Sequence, residues 1–507
     1  MPILQLLHIQ LSFPPEELLT DVNFTVEAGE RIGLVGRNGS GKSTLFSLLT
    51  GENKPDGGSV FMPETRIGYL KQSPEINANP ESFSDMALYY AARLLLADDV
   101  FERLETASGG ERTKAALALL LAEEPSLLLL DEPTNHMDYD GIQALSQLLR
   151  EFDGTCIIIS HDRYFLDETA GRILELDRGC VRSFKGNYSA YRKEKERLFQ
   201  KQLHRYESDR KEEKRIESAI QKTRDWAQKA HRDSTKVPGG TPKMGYKERE
   251  RVKAKKLDSS ARSRVKRLEK LKGESEARPQ EEREVRFSIS GEGSSGKRIL
   301  DVQNLSMGYG DTLLFEDSYF YLNRGEHIAV FGSNGCGKST LISLLLGQTA
   351  ATSGDIWVSP GRTPYVLRQS VGLFSEEDET ALMYLQSQVG RIAGPERSLL
   401  HQLGLETRHL MTPLRALSYG EKMKIRLAEP ILQQKEFLIL DEPTHHLDLP
   451  TREALEKTLL DYGGTLLLVS HDIFFLREIC NKVLLFENGK IRRHEESFAA
   501  FLEQASI

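Results

Sequence analysis

Short, uniformly apolar stretches recur near both ends of this chain, and each hands over to a glycine-rich or acidic motif. Ile32-Gly-Leu-Val reads as a buried strand running into Gly36, and Thr44-Leu-Phe-Ser-Leu-Leu as the helix after it. Ser126-Leu-Leu-Leu-Leu and Thr155-Cys-Ile-Ile-Ile-Ser lack the alternation of a half-exposed strand, so they predict strands covered on both faces. The plan returns in Ala329-Val-Phe, Phe437-Leu-Ile-Leu and Leu466-Leu-Leu-Val. Such alternation of strand and helix predicts two α/β domains, residues 1–190 and 299–507.

The texture changes between them, over residues 191–298. From about Tyr191 to Ala230 there is no proline or glycine, and good helix formers dominate. The prolines and glycines of Ser234 to Gly245 break that helix. A second helical stretch runs from about Tyr246 to Lys272, with Leu257, Ala261, Val265 and Leu268 forming a one-faced seam. The pattern predicts an antiparallel helical hairpin with its tip at about 234–246. At 1.5 Å per residue its first helix would reach about 60 Å.

The two α/β segments also carry one set of motifs, written twice. Gly36-Arg37-Asn38-Gly39-Ser40-Gly41-Lys42-Ser43-Thr44 returns as Gly332-Ser333-Asn334-Gly335-Cys336-Gly337-Lys338-Ser339-Thr340, 296 residues on. The offset is 297 at Gln72 and Gln369, then 310 at Ser108 and Ser418, Asp131 and Asp441, and His161 and His471. The second copy therefore carries 13 extra residues between its glutamine and its serine.

A glycine-rich loop between strand and helix lets backbone N–H groups surround phosphate oxygens. Lys42 and Lys338 are placed to reach the β- and γ-phosphates, and Ser43 and Ser339 to bind Mg²⁺. Asp131 and Asp441 end apolar strands, where a carboxylate holds Mg²⁺ through water. Glu132 and Glu442 come next and are candidates to polarise an attacking water. His161 and His471 follow a strand and are candidates to sense the γ-phosphate. Gln72 and Gln369 join the candidate nucleotide and Mg²⁺ ligands.

Ser108-Gly109-Gly110-Glu-Arg, Asp131-Glu-Pro-Thr-Asn-His-Met-Asp138 and Ser160-His-Asp resemble the signature, Walker B with D-loop, and switch histidine of ABC ATPases. Ser418-Tyr-Gly420-Glu-Lys, Asp441-Glu-Pro-Thr-His-His-Leu-Asp448 and Ser470-His-Asp match them. The resemblance implies a head-to-tail sandwich: ATP on Lys42 closed by Ser418 and Gly420, and ATP on Lys338 closed by Ser108 and Gly110. Phe13 and Tyr309, each 23 residues before its first loop glycine, match the aromatic that stacks on adenine in this family. Tyr419 replaces a signature glycine and His445 the asparagine seen at Asn135; the expectation is still two working sites.

Composition narrows the class. The chain is 39% hydrophobic and 28% charged, and its apolar runs fall far short of the ~20 residues of a membrane span. Met1-Pro-Ile-Leu-Gln lacks the order of a secretory signal, and Cys156, Cys180, Cys336 and Cys480 have no paired or metal-ligand spacing. A reduced, cytoplasmic protein is expected. The net charge of −7 conceals 29 Lys and Arg against 15 Asp and Glu in residues 192–280, a local +14 on an otherwise acidic body. That sign bias points the insert toward a polyanion; a solvated coiled coil is the alternative.

Two cassettes in one chain with a long charged linker resemble the ABC-F proteins, and the resemblance covers essentially the whole chain. Trp226-Ala-Gln-Lys-Ala-His-Arg-Asp-Ser-Thr-Lys236, Arg251-Val-Lys-Ala-Lys-Lys256 and Val265-Lys-Arg-Leu-Glu-Lys270 look like the ribosome-protection branch, which confers resistance to lincosamides, pleuromutilins and group A streptogramins. Only 35 residues separate Gln72 from Ser108, too few for the helical arm of many housekeeping members, and the chain ends at Ile507, short of the extension some resistance members carry. The resemblance implies a monomer whose cassettes pair within one chain and which binds the 70S ribosome. Its contacts there would be large-subunit rRNA and P-site tRNA, with Val237, Met244 and Tyr246 near the peptidyl-transferase region. Three other readings stay open: a general ABC-F translation factor, the energising subunit of a transporter, and a DNA-repair ATPase.

Overall fold

The computed structural model describes residues 2–13, 16–63, 65–74, 84–97, 99–101, 103–104, 106–135, 137–235, 252, 255–256, 259–260, 262–269, 297–310, 312–368, 378–444 and 447–504. The chain forms two compact units. Met1–Tyr191 and Glu282–Ile507 make one, and Arg192–Glu281 the other.

The first half of the larger unit contributes β1 (Pro2–Phe13), β2 (Glu16–Glu27), β3 (Arg31–Gly36), β4 (Gly57–Phe61), β5 (Ile67–Leu70), β6 (Leu127–Asp131), β7 (Thr155–Ile159), β8 (Arg172–Asp177) and β9 (Cys180–Lys185). They join in one sheet of order β4-β1-β2-β9-β8-β3-β7-β6-β5. The five strands from β8 to β5 are parallel. Along β6 and β7, Leu128, Leu130, Cys156 and Ile158 pack on one side, while Leu127, Leu129, Ile157 and Ile159 pack on the other. Burial on both faces is why these strands are apolar at every position.

Register then fixes chemistry in space. Asp131 lies opposite Ile159, and Leu34 opposite Ile159 from the other side. The phosphate loop after β3, the carboxylates after β6 and His161 after β7 consequently emerge at the same carboxyl edge, where open α/β sheets bind ligands.

The second half repeats this with β10 (Arg298–Tyr309), β11 (Thr312–Asn323), β12 (His327–Phe331), β13 (Ser353–Val358), β14 (Tyr365–Leu367), β15 (Phe437–Asp441), β16 (Thr465–Val469), β17 (Lys482–Glu487) and β18 (Lys490–His494). Its sheets are β11-β10-β13 and β14-β15-β16-β12-β17-β18. In the first half a single bridge, Asp21 to Cys180, merges the corresponding two sheets. The segment holding the 13 additional residues folds in part as helices Ala381–Val389, Gly394–Gln402 and Thr407–Met411 around their own apolar core.

The two halves share side chains. Leu449 packs in the core of the first half, and Tyr139 in that of the second. None of the described helices is long and apolar enough to cross a membrane.

The 48-residue helix Tyr188–Thr235, most of which belongs to the smaller unit, meets the helical stretch 262–269 between Glu212 and Thr223. The helix starts three residues earlier than its composition predicts, and it runs on to Thr235, just before Pro238-Gly-Gly. Ile216, Ile220 and Thr223 are buried, and Val265 and Leu268 half-buried. Arg267 bonds Glu212 at 3.2 Å, while Arg264 donates to Ala219 O at 3.1 Å and to Thr223. Those pairings run in opposite directions, so the helices are antiparallel. Leu257 and Ala261 of the predicted seam, and residues 236–246 of the predicted tip, lie outside the described residues.

Candidate nucleotide sites

Each phosphate loop is shaped by backbone that only glycine adopts freely. Gly41 and Gly337 sit immediately before helices Lys42–Leu49 and Lys338–Leu345 at φ +99° and +107°. A Cβ on Gly36 would stand 2.5 Å from Leu176 O, so any side chain there would push the loop off its strand. Lys42 Nζ donates to Gly36 O at 2.9 Å and Arg37 O at 3.0 Å; Lys338 Nζ does the same to Gly332 O at 2.7 Å and Ser333 O at 2.8 Å. Both ammonium groups are thereby centred over their loops.

Beside each loop stands an acidic pair. Burial raises the carboxyl pKa of Asp131, partly offset by a hydrogen bond from Ser43, and burial likewise raises that of Asp441. Glu132 and Glu442 adopt φ of 52° and 49°, left-handed values that a glutamate rarely takes. Their amides donate to Ile159 O and Val469 O at 2.9 Å, which holds the turn. Burial pushes the Glu132 carboxyl up to about 7 and that of Glu442 up to about 8. Such values suit a base that must accept a proton near neutral pH.

The histidines close on these glutamates. His161 N–H donates to Glu132 Oε2 at 3.3 Å, and His471 N–H to Glu442 Oε2 at 3.4 Å. Burial lowers the His161 imidazole well below its usual value and His471 to about 4, with Lys42 and Lys338 adding to the effect. Both shifts favour the neutral ring.

Asp131 with Ser43 offers what Mg²⁺ requires: a buried carboxylate uncompensated by a cation in contact, next to a hydroxyl. Among the described residues no group of three His, Cys, Asp or Glu forms a metal cluster, so phosphate and water would supply the other ligands. Gln72 is exposed two residues beyond β5, and Gln369 lies outside the described residues. Tyr309 ends β10 with 56% of its surface exposed, open to a stacking partner. Phe13 ends β1, and its side chain, like that of Tyr419 and all of His445, is outside the described residues.

The halves meet across these sites. Ser108 and Ser418 cap helices Gly109–Ala122 and Tyr419–Leu432 through reciprocal bonds with Glu111 and Glu421. A cavity of about 460 Å³ is lined by Ser108, Gly109 and Gly110 from the first half and by Asn334, Gly335, Glu442 and His471 from the second. The signature of one half therefore faces the phosphate loop of the other. At the Lys42 loop, Asn38 N–H donates to Asp448 Oδ2 at 3.2 Å; at the Lys338 loop, Asn334 N–H reaches Asp138 Oδ2 at 3.4 Å. A Cβ on Gly420 would stand 3.7 Å from Leu447, the residue before Asp448.

Several residues at this interface are not evident from motifs. Arg163, with no exposed surface, donates to Glu456 Oε2 at 3.0 Å and lies 3.5 Å from Asp472. Arg452 donates to His161 O at 2.9 Å and to Asp472 Oδ2 at 3.2 Å. The signal that exposes them is the 310-residue register: position by position, Arg163 matches Ile473, Glu456 matches Ser146, and Arg452 matches Ile142.

Two phosphate-loop cassettes closed head to tail, each loop bonded to the other half's Asp138 or Asp448 and the Ser108 signature facing the Asn334–Gly335 loop, define an ABC-type ATPase. Sequence comparison agrees: the model described as ABC transporter matches residues 19–135 and 315–445, and a second of the same description matches 174–237. The ribosome protection protein VmlR of Bacillus subtilis is 39% identical over 97% of this chain and 88% of its own length. The energy-dependent translational throttle protein EttA of Escherichia coli K12 is 30% identical over 97% of this chain and 93% of its own. Among solved structures, the crystal structure of the complex of archaeal ribosomal stalk protein aP1 and ribosome recycling factor aABCE1 matches with a TM-score of 0.62. That likeness covers 98% of this chain and 92% of the other at 19% identity, and it speaks to fold alone. The chain belongs to the ABC-F family of ATPases and hydrolyses ATP.

Proposed function

We propose that this ATPase binds the ribosome in its ATP-closed form and uses its basic insert to dislodge antibiotics from the peptidyl-transferase region. The observation that carries this reading is the +14 charge of residues 192–280 in a chain 39% identical to a ribosome protection protein. Lys and Arg at that density suit RNA and tRNA phosphates near the tRNA exit site, with the tip at about 234–246 directed at the drug.

Lys42 and Lys338 would bind the β- and γ-phosphates, with Tyr309 and Phe13 against adenine. Ser43, Gln72 and Asp131 in one site and Ser339, Gln369 and Asp441 in the other would hold Mg²⁺, which would supply charge neutralisation on the phosphates. Glu132 or Glu442 accepts the proton of a water whose oxygen bonds the γ-phosphorus as the bond to the β,γ-bridging oxygen breaks, leaving ADP and phosphate. His161 and His471 hold those glutamates by backbone N–H. Cleavage removes the link between loop and opposing signature, and the reopened cassettes release the ribosome.

Expression in a susceptible host is expected to raise tolerance to at least one of the lincosamide, pleuromutilin and streptogramin A classes. Unchanged tolerance to all three favours the second reading, a general translation factor, which the similarity to EttA supports. Ribosome pelleting at increasing salt tests the insert directly. With about 6–10 phosphate contacts, affinity should drop by about 10³–10⁵ between roughly 50 and 200 mM salt. A flat response would remove the insert from the RNA interface.

A further inference from the structure

We infer that Arg452, from the second cassette, is a positioning residue for ATP cleavage at the Lys42 site in the first, with no matching donor in sequence register at the Lys338 site. His161 is held by both its backbone groups. Its N–H donates to Glu132 at 3.3 Å, and its carbonyl accepts from Arg452 at 2.9 Å. A third tie runs from the imidazole, whose Nε2 lies 3.2 Å from Asn38 Oδ1, while Asn38 N–H donates to Asp448 at 3.2 Å. Asp448 and Arg452 sit one turn apart, at the cap and in the first turn of helix Leu449–Leu460. The start of one helix in the second cassette thus grips the loop and the histidine of the first site together.

Arg452 is itself fixed. Its Nε donates to Leu447 O at 3.0 Å and its terminal nitrogen to Asp472 at 3.2 Å. A guanidinium tethered in this way is a rigid donor, because its planar fork is pre-organised. Its grip on His161 exists only while the cassettes are closed, so the orientation of Glu132 toward the reacting water is completed by closure. Asp472 follows His471, which gives the arginine a foothold in the switch segment of the other site.

In the 310-residue register the matching position is Ile142, buried and without a donor. The histidines differ accordingly: the His161 side chain is 10% exposed and that of His471 25%. The two sites are built unequally by residues outside every nucleotide motif.

The test separates the sites by single-turnover phosphate release in the full chain, with Glu442→Gln leaving only the Lys42 site able to cleave and Glu132→Gln leaving only the other. Arg452→Gln should slow cleavage at the Lys42 site by about 10-fold or more, with the half-saturating ATP concentration moving less than about 3-fold. The loss at the Lys338 site should be several-fold smaller, and Arg452→Lys should restore part of the rate. Glu456→Gln loosens the same interface without touching His161, so it should affect both sites alike. Equal losses from Arg452→Gln in the two backgrounds, a change in ATP affinity without a change in rate, or a site-selective loss from Glu456→Gln would each overturn the assignment.

Discussion

Replacing Glu132 and Glu442 together by glutamine is expected to lower steady-state ATP turnover by about 10²–10⁴-fold, the usual contribution of a positioned acid–base group. Glutamine keeps the shape of the side chain and its bond from the histidine N–H but cannot take a proton. The phosphate loops, Asp131 and Asp441 are untouched, so ATP should still close the cassettes. Closed cassettes that cannot cleave should remain on the ribosome: in low salt with ATP, the double variant is expected to sediment with 70S particles. Recovery at the top of the gradient would sink the ribosomal reading, and unaltered turnover would sink the roles given to the glutamates.

Glu456→Ala should be the most damaging single change away from the nucleotide. Arg163 has no exposed surface and Glu456 is 4% exposed. Removing the carboxylate leaves a cation facing Asp472 alone, and breaking a buried pair in this manner costs about 3–5 kcal/mol. Asp472 shows how strong the local field is: burial alone would raise its pKa, yet Arg163 and Arg452 bring it below the usual aspartate value. Replacing both partners, Arg163→Met with Glu456→Leu, should cost less than Glu456→Ala, because no charge is stranded. Urea unfolding of the three variants checks this; a double variant at least as unstable as the single would refute it.

The strands that carry the candidate nucleotide residues were legible because they are covered on both faces. Leu127–Asp131 and Thr155–Ile159 are apolar throughout and end in polar motifs, which marks strand, face and edge at once. The long hairpins β1–β2 and β10–β11 were not legible. Register shifts interrupt them, and His8 and Asn304 take positive φ within them, so no clean alternation survives. The two helical stretches of the insert were readable from their helix-forming composition, but which residues face each other depends on contacts such as Arg267 with Glu212, 55 positions apart. Arg163 and Glu456 are separated by 293 residues and belong to no motif, and only subtracting one copy from the other singles them out.

The bond between Arg163 and Glu456 also bears on which cassette recognises which. Two first cassettes from different molecules would bring Arg163 against Ser146, and two second cassettes would bring Glu456 against Ile473. Either homotypic union would lose the carboxylate–guanidinium bond at this position, whereas the heterotypic union makes it. A chain that carries two similar ATP-cleaving modules thereby holds an internal password, which disfavours cross-assembly between neighbouring molecules.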